Sequence, residues 1–323
     1  MQKSTQVLFK TQFEEDVYKG LSDFPKHLSS KYFYDQKGDK LFQDIMHMPE
    51  YYLTRKEYDI LKQHTAEIAE KFAMGNPRFK LIELGAGDGK KTKILLKYLS
   101  ENNFDVKYQP IDISKSVLDG LEKSLHKELP DLQVEPQHGT YFEALEKINS
   151  ENGTKKVILF LGSNIGNLLH EHAIAFLKSV QELMQEDDLL FIGFDMKKNP
   201  QTILDAYNDP SGITEAFNKN VLARINTELD GNFDLDKFLH WEVYDPETGT
   251  AKSYLVAKEA QTVSIDKLGL LIDFAPWETI HTEISQKYDD KVVAWLADNA
   301  GLKIETEFSD PEKQYKNFVF RKR

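Results

Sequence analysis

A repeated alternation of short apolar runs with helical stretches constrains the fold of this chain more than any other feature. The apolar runs have the length of buried strands and lie at residues 79–84, 106–113, 157–161 and 189–194. The stretches with helical periodicity lie at residues 91–99, 117–125 and 170–184. Strands without polar alternation are typical of parallel sheets that are covered on both faces. The pattern therefore predicts an α/β fold with a doubly wound, parallel sheet.

The alternation ends near Asp195, and the remaining residues follow a different pattern. A helix is predicted at 214–226, partial strand alternation runs through 241–265, and closing strands are predicted at 302–308 and 316–321. A chain of 323 residues is long for one small core. We interpret it as a doubly wound domain with another element inserted before its final strands.

The segment before the first strand carries polar residues with clustered tyrosines. Thr54 and Glu57 have the spacing of a capping box, in which each side chain bonds a backbone N–H at the start of a helix. A loose apolar stripe follows to Phe72. The pattern predicts a helix here that begins with a capping box.

Composition excludes several classes of function. The 41 Lys and Arg against 53 Asp and Glu give a net charge of −12, which argues against non-specific binding to nucleic acid or anionic membranes. The chain has no cysteine, which excludes disulfides, cysteine-ligated zinc and a cysteine nucleophile. Residues 1–10 lack the apolar core of a signal peptide. We expect a cytoplasmic monomer with no membrane or nucleic-acid partner.

A glycine-rich turn follows the first predicted strand. Glu83 ends that strand, and Gly85, Ala86 and Gly87 begin the sequence GAGDG. Glycines at such a turn let a ligand approach the backbone closely. The spacing GxGxG after an acidic strand end resembles motif I of S-adenosylmethionine-dependent methyltransferases. The alternative is a tight strand–helix turn with no ligand.

Polar residues also follow the next strands. Asp112 ends the second strand, where a carboxylate can accept hydrogen bonds from ribose hydroxyls or can simply cap the next helix. Thr140 and Tyr141 stand where such enzymes often hold the adenine, although an Asp is common there. Gly162 begins the loop GSNIGN after the third apolar run. That loop either orients a polar small molecule or is only a turn.

Longer stretches carry a more specific resemblance. They are KYFYD, GDKLFQDIMHMPEYYLTRKE, LIELGAGDGKKT, FLGSNIGNL, AYNDPSGITEAFNKNVLARINTEL and ETIHTEISQKY. On these stretches the chain resembles the histidine Nα-methyltransferase family, which catalyses the first step of ergothioneine biosynthesis. The resemblance extends from about Phe24 to about Arg321.

The resemblance implies a Rossmann-like class I S-adenosylmethionine-dependent methyltransferase fold with an additional α+β substrate-binding domain. The methyltransferase core would comprise residues 61–195 and 287–323. The substrate-binding domain would comprise residues 1–60 and 196–286. The implied reaction is three successive methyl transfers to the α-amine of L-histidine, through its mono- and dimethylated forms, to give hercynine and S-adenosylhomocysteine. No metal is implied.

The resemblance also assigns residues by motif. Asn167 and Tyr207 would be the catalytic residues that hold the α-amine and α-carboxylate. The substrate-binding set would be completed by Tyr34, Tyr51, Ser253, Glu283 and Ser285. The cofactor-binding set would be Glu83, Gly85, Ala86, Gly87, Lys91, Asp112, Thr140, Tyr141 and Gly162.

Ser253 departs from the family pattern, which places a methionine against the substrate side chain. Relatives in the wider family methylate tryptophan-type amines, so another amino acid or aromatic amine is the alternative substrate. Two rival functions are a non-catalytic module that binds S-adenosylmethionine and a methyltransferase that acts on nucleic acid.

Overall fold

The chain forms two compact units in a computed structural model that describes residues 9–74, 77–149 and 153–323. The first unit comprises the described residues of Met1–Tyr52 together with Lys198–Ser285. The second unit comprises the described residues of Leu53–Lys197 together with Gln286–Arg323. The assignment of substrate binding to the first unit stays a prediction.

The helices, in chain order, are α1 (Gln12–Ser22), α2 (Gln36–His47), α3 (Leu53–Gln63), α4 (Thr65–Ala73), α5 (Thr92–Glu101), α6 (Lys115–Glu128), α7 (Tyr141–Asn149), α8 (His170–Glu182), α9 (Pro200–Tyr207), α10 (Ile213–Leu229) and α11 (Asp290–Asn299). Within the described ranges, no helix is both long enough and apolar enough to span a bilayer.

The strands, in chain order, are β1 (Lys26–His27), β2 (Arg78–Leu84), β3 (Asp105–Asp112), β4 (Gln133–Val134), β5 (Gln137–His138), β6 (Lys156–Phe160), β7 (Leu189–Asp195), β8 (Phe238–Asp245), β9 (Thr250–Ala257), β10 (Gln261–Ile265), β11 (Leu270–Phe274), β12 (Thr279–Gln286), β13 (Leu302–Ser309) and β14 (Tyr315–Lys322). The sequence predicts the central strands β2, β3, β6 and β7 closely, with small differences only at their ends.

The second unit is built on a sheet in the order β13-β14-β7-β6-β2-β3-β4, with β5 also paired to β3. The pairs β2/β3, β2/β6 and β6/β7 are parallel, whereas β14 runs antiparallel to both β7 and β13. The strand order reverses between β2 and β6. In open α/β sheets, ligands bind beyond the carboxyl ends of the strands at such a switch point.

Burial of both faces explains why the central strands are apolar throughout. All seven residues of β7 and all five of β6 are buried. The predicted α/β fold with a doubly wound sheet is confirmed. Helix α6 is capped by Ser114, whose Oγ accepts the backbone N–H of Val117 at 3.4 Å.

The first unit contains a separate four-stranded sheet in the order β1-β12-β9-β8 and the hairpin β10-β11. Strands β8 and β9 pair antiparallel, and β9 buries alternate residues, as expected for a sheet with one covered face. The helix α10 packs against β8 and β9. The partial alternation in the sequence therefore marks a second sheet.

The capping-box prediction at Thr54 and Glu57 is wrong. The helix α3 begins at Leu53, so Thr54 lies inside its first turn. Glu57 is fully buried, and its carboxylate bonds to residues far along the chain. Tertiary partners have replaced the local role that the spacing indicated.

The close packing of Glu57 against β7 can be tested at Gly193. A Cβ at this position would lie 2.1 Å from Oε1 of Glu57 and 2.4 Å from the hydroxyl of Tyr315. Both side chains would have to shift, so we expect Gly193→Ala to lower the free energy of unfolding by about 1–3 kcal/mol. Urea denaturation at constant m value measures the change.

Gly120 provides the matched control, because it lies in α6 and a Cβ there would meet no atom within 4 Å. Replacing a helical glycine by alanine stabilises by about 1 kcal/mol at most. Equal effects of Gly120→Ala and Gly193→Ala would contradict the tight packing at Gly193.

Candidate functional site

The turn between β2 and α5 exposes backbone at the switch point. Gly85, Gly87 and Gly89 all have positive φ, at 72°, 55° and 66°. The N–H groups of Gly85 and Ala86 donate to the carbonyl of Ile111 at 2.9 and 3.2 Å, which ties the turn to the end of β3. A Cβ on Gly87 would meet no atom within 4 Å. The backbone at Gly87 is therefore open to a ligand.

Asp112 is held beside this turn. Its Oδ2 accepts the N–H of Gly87 at 3.2 Å, and its Oδ1 accepts the N–H of Ser114 at 2.9 Å. The structure thus brings two of the predicted cofactor residues together. A carboxylate fixed at the end of the second strand is suited to accept hydrogen bonds from a ribose diol.

Tyr141 and Thr140 lie at the start of α7. The Tyr141 hydroxyl is 2.8 Å from the position that a Cβ of Gly85 would take, so only glycine fits there. Burial, and then the charge of Asp112, raise the pKa of Tyr141 to about 12. Thr140 donates both its N–H and its hydroxyl to the carboxylate of Glu143. The predicted contacts of Thr140 and Tyr141 with a cofactor stay predictions.

Lys91 and Gly162 share one buried partner, the carboxylate of Glu57. The ammonium of Lys91 donates to Oε2 of Glu57, and the N–H of Gly162 donates to the same oxygen at 2.8 Å. Sequence reasoning missed Glu57. The available signal was its position in the buried stripe of α3 with Leu53 and Ile60, where a charged residue needs a partner.

Glu83 points to a different environment from the glycine turn. Its carboxylate accepts hydrogen bonds from the hydroxyls of Thr92, at 2.6 Å, and Tyr108. Burial raises the pKa of Glu83 to about 7, against the lowering effect of these two hydrogen bonds and of the Lys91 charge. Its predicted contact with the cofactor stays a prediction.

Asn167 ends a short 3₁₀ turn, Asn164–Asn167, directly after the β6 loop. Ser163, the N-cap that precedes this turn, has the left-handed φ of 57°. Asn167 is exposed. The structure places this side chain in the same unit as the glycine turn, and its catalytic role stays a prediction.

The first unit carries most of the predicted substrate residues. The hydroxyls of Tyr207 and Ser285 are buried and lie 2.6 Å apart. The rings of Tyr51 and Tyr207 meet edge to face, with centroids 6.3 Å apart. These contacts join the end of α9, the end of β12 and the segment before α3.

Tyr34 completes this aromatic group. Its ring packs on Phe42 and Phe217, with centroids 5.5 and 5.4 Å apart. Although 43% of Tyr34 is exposed, desolvation of its phenol and then the charge of Glu283 raise its pKa well above its usual range. The structure therefore groups Tyr34, Glu283 and the Tyr51–Tyr207 pair. We call Tyr34, Tyr51, Tyr207, Glu283 and Ser285 the tyrosine cluster.

Ser253 lies in a buried polar network on the first unit's sheet. Only 1% of it is exposed, and its hydroxyl donates to Oε2 of Glu242 at 2.5 Å. The Thr282 hydroxyl donates to the carbonyl of Ser253 at 3.1 Å and to Oδ1 of Asn218 at 2.7 Å. Sequence reasoning missed Glu242. The predicted contact of Ser253 with the substrate stays a prediction.

The donor set of the second unit fits a nucleoside with a charged tail. A glycine turn at the switch point, a carboxylate for a diol and a nearby ammonium suit the ribose and the anionic end of such a molecule. Among the side chains that the structure describes, no group of three or more His, Asp and Glu residues is placed to hold a metal ion. This sheet and turn have the Rossmann-like arrangement of class I S-adenosylmethionine-dependent methyltransferases.

Comparison with known proteins gives the family. The family model described as "Histidine-specific methyltransferase, SAM-dependent" matches residues 13–322. The chain belongs to this family. A histidine N-alpha-methyltransferase of Mycolicibacterium smegmatis is 37% identical over 297 residues, which are 92% of this chain and 90% of that one.

Two further relatives are less similar to this chain. Ergothioneine biosynthesis protein 1 of Schizosaccharomyces pombe is 32% identical over 91% of this chain and 39% of its own length. An L-tryptophan methyltransferase of Psilocybe serbica is 27% identical over 89% of this chain and 86% of its own length. The chain is thus less similar to this tryptophan enzyme than to the mycobacterial histidine enzyme.

The raised pKa of Glu83 gives a pH test. Its folded pKa of about 7 lies above the ordinary value of 4.5, so its contribution to stability is complete below about pH 4.5 and is lost as pH rises through 7. We expect Glu83→Gln to gain stability relative to the unmodified protein over this window, by at most about 3 kcal/mol. Urea denaturation from about pH 5 to about pH 8 measures the difference.

Glu143→Gln is the control for this experiment, because hydrogen bonds from Thr140 lower the pKa of that exposed carboxyl. The stability difference between Glu143→Gln and the unmodified protein should not rise with pH over the same range. A pH-independent difference for Glu83→Gln would contradict the raised pKa.

Proposed function

We propose that this chain transfers methyl groups from S-adenosylmethionine to the α-amine of L-histidine, three times in succession, to give the trimethylated betaine hercynine. The observation that carries the proposal is the match of residues 13–322 to the histidine-specific family. The 37% identity to the mycobacterial histidine N-alpha-methyltransferase supports the same substrate. Hercynine formation would supply the first step of ergothioneine biosynthesis.

The residues of the glycine turn fit the methyl donor. Asp112, already aligned by the N–H of Gly87, would accept the ribose hydroxyls, and Lys91 would face the carboxylate of the donor's amino-acid end. The open backbone at Gly87 would admit the donor, whose chemical contribution when bound is a methyl group on a sulfonium. No metal ion has a part in this proposal.

Neutral side chains would hold the reacting end of histidine. A carboxylate removed from water needs hydrogen-bond donors, and in this proposal the Tyr51 and Tyr207 hydroxyls and the Asn167 amide would supply them. The attacking nitrogen must be unprotonated. A phenol and an amide place no anion beside the amine, so they do not stabilise its charged form.

The side-chain end of histidine would be read by the polar members of the tyrosine cluster. A neutral imidazole offers one donor and one acceptor. Glu283 would accept the ring N–H, and the hydroxyl of Ser285 would donate to the other nitrogen. Each hydroxyl has one proton, so the proton that bridges Ser285 and Tyr207 in the structure would turn to the substrate when histidine binds, which links recognition of its two ends. Tyr34 would cover the ring.

The deciding experiment is the mass of the product formed from histidine. Incubation with S-adenosylmethionine and histidine should add three methyl groups, with mono- and dimethylhistidine as intermediates. A panel with tryptophan, further α-amino acids and aromatic amines tests the rival substrates. A preference for tryptophan over histidine would overturn the proposed substrate and leave the class of enzyme unchanged.

We expect Tyr207→Phe and Asn167→Ala to lower kcat/KM for histidine by at least about tenfold, because each removes one hydrogen bond to a charged or reacting group. The fold should survive, since Asn167 is exposed and phenylalanine keeps the ring of Tyr207. Steady-state kinetics with a thermal unfolding control make the measurement. Unchanged kinetics in both variants would refute the assigned roles.

Glu283 carries the predicted preference for histidine. We expect Glu283→Ala to lower kcat/KM for histidine by at least about tenfold while that for non-basic amino acids falls much less, because only an imidazole loses a partner. Competition assays with mixed amino acids measure the ranking. Glu247→Ala, on an exposed turn between β8 and β9, is the matched control. An unchanged ranking in Glu283→Ala would exclude this role.

The proposal includes a cytoplasmic monomer that acts on small molecules. The net charge of −12 supports the lack of nucleic-acid partners, because it opposes binding to polyanions. Size-exclusion chromatography with light scattering tests the monomer, and a salt-dependent DNA-binding assay tests methylation of nucleic acid as the rival function.

A further inference from the structure

One buried carboxylate at the switch point has no part in the reaction proposed above. The Glu57 side chain projects from α3 toward the sheet of the second unit and is completely buried there. It accepts hydrogen bonds from the Lys91 ammonium, from the N–H of Gly162 at 2.8 Å and from Nδ2 of Asn317 at 2.9 Å. We call these four residues the Glu57 cluster.

The surrounding strands are shaped to admit this carboxylate. Gly193 stands opposite Asn317 in the β7/β14 pair, and a Cβ on Gly193 would overlap Oε1 of Glu57. A buried charge is costly unless it is paired and fully hydrogen-bonded. The Lys91 ammonium pairs with the charge, and the N–H of Gly162 and Nδ2 of Asn317 add further hydrogen bonds. The missing side chain at Gly193 leaves the space that the carboxylate occupies.

The Glu57 cluster joins the two sides of the switch point. Lys91 follows the turn after β2, and Gly162 follows β6, so one carboxylate oxygen fixes both loops. A Cβ on Gly162 would lie 3.4 Å from Nζ of Lys91, so the ammonium rests against the Gly162 backbone.

Lys91 still has capacity to bind a ligand. Its ammonium carries three donors, of which Glu57 takes one, and 21% of its side chain is exposed. Of the groups on S-adenosylmethionine, only the carboxylate of the amino-acid end is anionic. A lysine ammonium held at the switch point is therefore suited to that carboxylate and not to the adenosine part.

We propose that Glu57 is a positioning residue for the cofactor: it fixes the Lys91 ammonium and the Gly162 loop so that they receive the amino-acid end of S-adenosylmethionine. This inference rests on the proposed function. A lysine side chain loses rotamer entropy when it is immobilised. Glu57 immobilises Lys91 before the ligand arrives, which strengthens binding through preorganisation.

The test compares two ligands that share the adenosine and the sulfur but differ in the amino-acid end. S-adenosylhomocysteine contains the amino-acid end, and 5′-methylthioadenosine lacks it. We expect Glu57→Gln to raise the Kd for S-adenosylhomocysteine about tenfold or more, and that for methylthioadenosine by less than about twofold. Isothermal titration calorimetry measures both constants without any turnover.

Two further variants make the readout specific. Lys91→Met should show the same selective loss of S-adenosylhomocysteine binding. Adding Glu57→Gln to this variant should raise that Kd little further, because the two residues act as one unit. Glu70→Gln, at an exposed position of α4, should leave both constants unchanged.

If Glu57 had only a structural role, Glu57→Gln would weaken the binding of both ligands equally, and that result would overturn the inference. Unchanged or tighter binding of S-adenosylhomocysteine by Glu57→Gln would also overturn it. If this variant fails to fold, Glu57→Asp keeps the charge but shortens the side chain, and the same selective loss is expected. Failure to methylate histidine, with selective binding intact, would refute the proposed function alone.

Discussion

The sheet of the second unit depends on how its two central strands are joined at the switch point. Parallel strands β2 and β6 end side by side, and the loops that follow them share one partner. The buried carboxylate of Glu57 supplies that partner, with Asn317 on β14 completing its hydrogen bonds. A charge in this position demands donors, and two of the donors belong to the two loops.

In the first unit, buried polar groups hold the strands of the sheet in register. Its sheet buries the Ser253–Glu242 bond and the Thr282–Asn218 bond between β8, β9, β12 and α10. Such networks specify one register, because a slipped strand would leave a buried hydroxyl or carboxylate without a partner. Strand β12, which carries Glu283 and Ser285, is held in this sheet. The polar network thereby sets where the tyrosine cluster is presented.

The strands of the core were predictable because burial on both faces leaves a continuous apolar run, as in β6. The cap at Ser114 was predictable because its partner, Val117, is three residues away. Glu57 was not, because its partners lie 34, 105 and 260 residues along the chain. The spacing to Thr54 indicated a local bond that the tertiary partners displaced. The partnership of Glu242 with Ser253 was equally hidden, since pairing of β8 with β9 creates it.

The sequence by itself determined the α/β class, the glycine turn with its acidic partner, and membership of a methyltransferase family, because these depend on local periodicity and short motifs. Only the tertiary structure decided which carboxylate meets which donor. Glu83 turns toward Thr92 and Tyr108 inside the core, whereas Glu57 reaches Lys91 at the switch point. The physical reason is that a buried charge is positioned by the donors around it, and those donors come from strands and loops that only the folded chain brings together.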